Sequence, residues 1–70
     1  MTNSVYKFIE LVGSSTESWE KAAAFAIETA GQTLRDLRIA EVTELDMQID
    51  NGKIISYRTK VKVSFKYEGE

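Results

Sequence analysis

The sequence has no cysteine and no histidine. Without cysteine there are no disulfides and no thiolate metal sites. Without histidine, zinc coordination and imidazole acid–base catalysis lose their usual residue. No apolar run approaches the roughly 18 residues of a membrane-spanning helix. The opening M-T-N-S-V-Y lacks both the basic and the apolar segment of a signal peptide, so the expected location is cytoplasmic. Serines occur without histidine, and no Gly-x-Ser-x-Gly, P-loop or G-x-G-x-x-G pattern is present. The 11 carboxylates are numerous enough to fall into close pairs by chance, so they mark no catalytic dyad. The chain is read as a non-enzyme. A net charge of −2 with 29% charged residues fits a soluble protein and does not mark a nucleic-acid binder.

At 70 residues the chain is one domain, 1–70, and a small one. A domain of this length buries only ~60% of its unfolded surface. Small scaffolds lacking disulfides and metals commonly gain stability by oligomerisation, so self-association is expected. A helix-on-sheet core that suffices alone is the alternative.

The stretch Tyr57 to Tyr67 organises the rest. Tyr57, Thr59, Val61, Val63, Phe65 and Tyr67 alternate with Arg58, Lys60, Lys62, Ser64 and Lys66. This strict period of two predicts a strand with one apolar face and one mostly cationic face. Residues 5–12, V-Y-K-F-I-E-L-V, read as the first strand, with Val5, Ile9 and Leu11 on one face and Tyr6, Phe8 and Val12 on the other. Both faces are too apolar for a strand with one side in water. Either both are buried in the monomer, which is hard for a thin sheet, or the Tyr6/Phe8 face is a subunit contact.

Gly13-Ser14-Ser15-Thr16 is read as the end of that strand, with Thr16 or Ser15 capping a helix over about 17–35. Glu17 and Glu20 suit its positive end. Trp19, Ala22, Ala23, Ala26, Ile27, Ala30, Leu34 and Leu37 form its apolar stripe, and Trp19 is assigned to the core. Phe25 falls on the opposite side and adds to the surplus of outward aromatics. Residues 39–50 form the second strand. Ala40 and Val42 have one parity, and Leu45, Met47 and Ile49 the other, so a bulge is predicted near Thr43-Glu44. Asp50-Asn51-Gly52 is a hairpin turn signal, and a short polar tail, Glu68-Gly69-Glu70, closes the chain. The fold class is therefore α+β with β-α-β-β order. A three-stranded antiparallel sheet is expected to wrap around one helix, its third strand central.

Two polar rows carry chemistry. Glu44, Asp46, Gln48 and Asp50 make an oxygen-rich ribbon on the second strand, with Glu44, Asp46 and Asp50 as candidate ligands of a divalent cation. The ribbon echoes the start of a calcium loop, but Tyr57 stands where an EF-hand needs a bidentate Glu. A solvated strand face is the plainer reading. The cationic row of the third strand has no stacking aromatic beside it, which speaks against nucleic acid. Its Lys60 and Lys62 are expected to pair across strands with carboxylates of the second.

V-Y-K-F-I-E-L-V-G-S-S at 5–15, the alanine-rich helix from Trp19, T-L-R-D-L-R-I-A-E-V at 33–42 and Y-R-T-K-V-K-V-S-F at 57–65 together resemble the dodecins. The resemblance covers nearly the whole chain. It implies a hollow homododecamer of β-α-β-β subunits, and a protein that binds or stores a small ligand. In flavin-binding dodecins, flavins lie in pairs near a two-fold axis. Each ring stacks on a tryptophan one residue before the E-V pair of the second strand, and bonds to a glutamine of the third. Here those positions hold Ile39 and Arg58.

Ile39 offers no π face, and Arg58 donates hydrogen bonds without accepting any. The resemblance implies that, together with Glu44, they mark the site of the family's flavin pocket, degraded in this chain. Arg58 is expected to bond to Glu44 or Asp46 and fill the space. The substitutions resemble a subgroup without flavin that includes calcium dodecins. The expected function is sequestration of a small ligand or ion by the shell, with no tightly bound cofactor and Ca2+ as a candidate. Its partners are then further copies of itself and a small molecule or divalent cation, with no nucleic acid and no membrane. The alternatives are storage of riboflavin or FMN in a modified pocket, and a purely structural or partner-binding assembly.

Overall fold

The structure, a computed structural model, describes residues 3–67; the polar tail Glu68-Gly69-Glu70 lies outside the described residues. The element order is β1 (Tyr6–Ser15), α1 (Trp19–Gly31), β2 (Leu37–Asp50) and β3 (Lys53–Lys66). The sheet order is β1-β3-β2 with both pairings antiparallel. The strand with the cleanest alternation is thus the central one, as its pattern predicts. Among the described residues its apolar face holds the buried centre: Thr59, Val61 and Val63 are each at most 1% exposed.

The helix lies on this face. Ala22, Ala26 and Ala30 recur every fourth residue and are its buried positions. Small side chains along one line let the helix axis approach the strands closely. Ile9, Leu11, Ala23, Ile27 and Leu37 close around the Ala26, Val61 and Val63 centre. Burying each of the two valines contributes about 1.5–3 kcal/mol.

Gly13 allows that approach. It does not end the first strand but lies within β1, opposite Thr59 and beneath the helix. A Cβ at Gly13 would meet the Ala22 carbonyl and the Ala26 methyl. The helix is shorter than the expected 17–35. Ser18, not Thr16 or Ser15, is its N-cap and accepts a hydrogen bond from Lys21 N at 3.1 Å. Ser15 instead accepts from Glu17 N at 3.0 Å in the connecting turn. Leu34 therefore follows the helix and Leu37 opens β2, so neither extends the helical stripe.

The β2–β3 hairpin turns at Asn51 and Gly52, with φ of 53° and 75°. Both central residues lie in the left-handed region, as the type I′ turn of an Asn-Gly pair requires. The ladder shifts register at Leu37/Ile39, Val42/Glu44 and Gln48/Ile49. The middle shift is the bulge that the parity switch predicts. Val42 faces Val61 and Leu45 faces Thr59, so both sides of the bulge keep their apolar residues on the helix face. The extra residue, Thr43, donates its hydroxyl to the Lys60 carbonyl at 3.2 Å. Each such irregularity adds local twist and bends the hairpin.

A 13-residue helix spans about 20 Å, whereas a 14-residue strand spans about 47 Å. The helix packs over β1 and β3 and barely reaches β2, where every residue after Leu37 is exposed. Val42, Leu45, Met47 and Ile49 are left at 40–63% exposure. On the opposite sheet face Tyr6 and Phe8, 52% and 57% exposed, have no cover from the helix either. Burial of both β1 faces within the monomer, one of the two readings the sequence allows, is therefore not found at Tyr6 and Phe8.

Candidate ligand-binding face

The sheet face turned away from the helix carries the polar chemistry. Register fixes its rows. Across β1, β3 and β2 run Phe8–Ser64–Ile39, Glu10–Lys62–Glu41, Val12–Lys60–Glu44 and Ser14–Arg58–Asp46. The central cations thus have carboxylates of β2 as register neighbours. Of Lys60 and Lys62, both expected to pair across strands, Lys60 makes the ion pair, and among the described residues no ion pair holds Lys62. Lys60 Nζ is 3.2 Å from Glu44 Oε1. Lys62 has Glu10 and Glu41 as register neighbours, and its ammonium sits 4.8 Å from the Phe8 ring centroid. That is a cation–π distance.

Arg58 and Asp46 make the best-defined contact of this face. Arg58 Nε donates to Asp46 Oδ1 at 2.7 Å, and Nη2 donates to Oδ2 at 2.9 Å. Two parallel charge-assisted bonds form a fork-on-fork pair. The hydrogen bond from Arg58 holds the Asp46 carboxyl below its ordinary value of 3.8; desolvation opposes this, and the charges of Arg58 and Lys60 reinforce it. Reciprocally, the bond to Asp46 raises the Arg58 guanidinium. Both side chains remain about half exposed, so the pair gives direction and shape rather than much stability.

Asp46 is held from the helix side as well. Trp19 Nε1 donates to the Asp46 carbonyl at 2.9 Å, and the indole meets Tyr57 edge-on at 5.2 Å between centroids. Thr59, buried, donates its hydroxyl to the Trp19 carbonyl at 2.9 Å. Trp19 is thus half-buried, a clamp between the helix start and the hairpin more than an interior core residue. The sequence signal for this was the indole N–H itself, which seeks an acceptor when buried.

The residues expected to form sites are placed as follows. Ile39 is 67% exposed on the outer face beside Ser64, whose hydroxyl points to the Ile39 carbonyl at 3.5 Å. Arg58 pairs with Asp46, and Glu44 with Lys60. Gln48 accepts from the Ser56 hydroxyl at 3.0 Å, and Asp50 lies opposite Lys53 at the hairpin end. Glu44, Asp46 and Asp50 therefore line one strand without converging. Alternate strand residues stand about 7 Å apart, and among the described residues no three carboxylates group as metal ligands.

The comparisons with known proteins agree with this architecture. The Dodecin family model matches residues 5–68. The chain belongs to the dodecin family. It is similar to the calcium dodecin of Mycobacterium tuberculosis, 49% identical over 63 residues that cover 90% of this chain and 89% of the relative. The dodecin of Thermus thermophilus is 39% identical over 64 residues, covering 91% of this chain and 93% of the relative. Among solved structures, the Streptomyces coelicolor dodecin aligns with a TM-score of 0.92 at 34% identity, covering both chains fully. A calcium-chelating calcium dodecin of Mycobacterium tuberculosis, described with a novel calcium-binding site, aligns at 0.83 and 48% identity over 96% of each chain.

Calcium is named for a relative, and a flavin is what the sequence resemblance leads one to expect; neither is met by the residues of this face. At the two positions where the sequence resemblance leads one to expect a flavin, the side chains present do not fit one. Ile39 supplies no ring, and the Arg58 fork is already filled by Asp46. A calcium ion, which needs about six to eight oxygens, does not fit the acidic ribbon of this chain, where among the described residues no three carboxylates converge.

Proposed function

We propose that this dodecin assembles as a hollow homododecamer that sequesters a small ligand or ion without turnover, and that its ancestral flavin position is closed. One observation carries the reading. Ile39 and Arg58 replace the stacking ring and the amide, and Arg58 is committed to Asp46. Assembly is supported by the family and by the uncovered apolar rows of β1 and β2. An apolar groove of about 570 Å³ between α1 and β1, lined by Val12, Phe25 and Leu34 among others, is a further surface for a neighbouring copy.

The test pairs solution mass with a riboflavin titration. A dodecameric mass with no quenching is the expected result for the natural chain, and saturable quenching at a fixed ratio would refute the closed pocket. Ile39→Trp combined with Arg58→Gln restores a ring and an amide. The double variant is expected to quench riboflavin, and silence from an assembled double variant would refute the placement of the site.

Calcium is the second reading, favoured by the 49% identity to a calcium dodecin. Within it, the carboxylates of β2 meet an ion only where several copies converge. Ca2+ then raises the melting temperature of the assembled protein, since a ligand bound only by the native state stabilises it. An unchanged temperature at millimolar Ca2+ removes this reading. If flavin and Ca2+ both fail, a structural or partner-binding assembly is what stands.

A further inference from the structure

Asp46 has a carboxylate committed to Arg58 and a carbonyl committed to Trp19. We propose that Asp46 is a specificity-determining residue: its carboxylate is the built-in occupant of an oxyanion-binding fork at Arg58 and keeps phosphate-bearing small ligands off the outer face. This deepens the function proposed above and rests on it for the identity of the face.

The geometry is that of a receptor already filled. A guanidinium recognises carboxylates and phosphates through two parallel N–H donors, and Arg58 places both on one carboxylate at 2.7 and 2.9 Å. The register around it leaves little else to neutralise the guanidinium. Lys62 stands between Glu10 and Glu41, and Lys60 between Val12 and Glu44. Arg58 stands between Ser14 and Asp46. Removing the Asp46 charge therefore leaves one cation of the row with no acid across from it and a serine on its other side. Lys60, the next cation on the same face, keeps its own partner Glu44 at 3.2 Å. The freed site is a guanidinium fork with a hydroxyl neighbour on an open sheet face, which suits a phosphate monoester or a small carboxylate. The Trp19 bond to the Asp46 carbonyl involves backbone only, so it survives a change of the side chain.

FMN and riboflavin make the discriminating probes, because they share a ring system and differ by the phosphate. Titrations compare the natural chain, Asp46→Ala and Asp46→Ala/Arg58→Ala, each with its solution mass and flavin-free Trp19 emission recorded. Asp46→Ala is expected to bind FMN roughly tenfold more tightly than riboflavin, the scale of a hydrogen bond to a charged group. The preference shrinks as salt rises and disappears in the double variant. Asp46→Asn, which keeps the shape and loses the charge, serves if the alanine variant fails to assemble.

Equal response to the two flavins in an assembled, charge-deleted variant overturns the inference. So does a preference that persists after Arg58 is removed. Riboflavin binding by the natural chain would instead overturn the closed-pocket function, so the two failures are separable.

Discussion

Replacing Gly13 with alanine tests the closeness of helix and sheet. The new Cβ would sit 2.9 Å from the Ala26 Cβ and 3.0 Å from the Ala22 carbonyl carbon, nearer still to that carbonyl's oxygen. Carbon atoms pack best at about 3.5–4.0 Å, so the helix must retreat by roughly 1 Å. No rotamer change relieves the clash, because most of what is met is backbone. The retreat loosens Ala22 and Ala26 against Val61, the centre of a small core.

Overpacking of this kind costs about 1–3 kcal/mol. In a domain of this size each kcal/mol moves the melting temperature by roughly 4–8 °C, so a fall of roughly 5–20 °C is expected. The sign is diagnostic, since glycine inside a strand is ordinarily worse than alanine by about 0.5–1 kcal/mol. Circular dichroism melts at one fixed protein concentration give the measurement, because the assembly proposed above would tie apparent stability to concentration. Adding Ala26→Gly removes one contacting methyl but leaves the Ala22 carbonyl in place, so it does not rescue the fall. A melting temperature that holds or rises in Gly13→Ala, with native mass, refutes the close approach.

Trp19→Phe keeps a ring against Tyr57 and loses the N–H that bonds to the Asp46 carbonyl. It is expected to cost about 1 kcal/mol, seen as a lower melting temperature by circular dichroism, and a neutral result would argue against the clamp. The Arg58–Asp46 pair has a defined dependence on pH. The Asp46 carboxyl is held below 3.8 in the folded protein, so its contribution is complete above 3.8 and is lost as pH falls through the lower folded value. The gap in melting temperature between the natural chain and Asp46→Asn is therefore flat near neutrality and closes in acid. A gap that widens on acidification would reverse the assignment.

The fold was legible because its signals are periodic. Alternation over Tyr57–Tyr67 identified the central strand, the alanine line identified the helix face, and Asn51-Gly52 identified the hairpin. The bulge at Thr43 was legible for the same reason, since a change of parity inside one strand has few other meanings. The misreadings all depend on contacts distant in sequence or on competition between neighbours. Gly13 looked like a strand end because its reason for being glycine is a helix turn that the sequence does not align with it. Three hydroxyl residues near the helix start compete for one cap, and the backbone geometry selected Ser18.

The site was legible in part. Charge alternation on facing strands pointed to cross-strand pairs, and Arg58 was matched to Glu44 or Asp46 without deciding between them. The choice of Asp46 follows from the register, and the register follows from the bulge. Ile39 and Arg58 were recognisable as substitutions only beside a family pattern, since neither residue looks unusual on a strand. The bond from Trp19 to Asp46 joins residues 27 positions apart, beyond any local pattern.

The bulge at Thr43 also acts as a phase change in the strand's numbering. Before it, the outer face of β2 takes odd positions, Ile39 and Glu41; after it, even ones, Glu44, Asp46 and Gln48. If the same sequence paired without the bulge, Thr43 would take a regular place opposite Lys60 and every residue after it would turn to the other face. Leu45 and Met47 would then stand opposite Arg58 and Ser56 on the outer face, and Glu44 and Asp46 would face the helix. One bulged residue thus separates a charged outer face from an oily one, and any mutational scan of β2 must change parity at that position to stay on one side of the sheet.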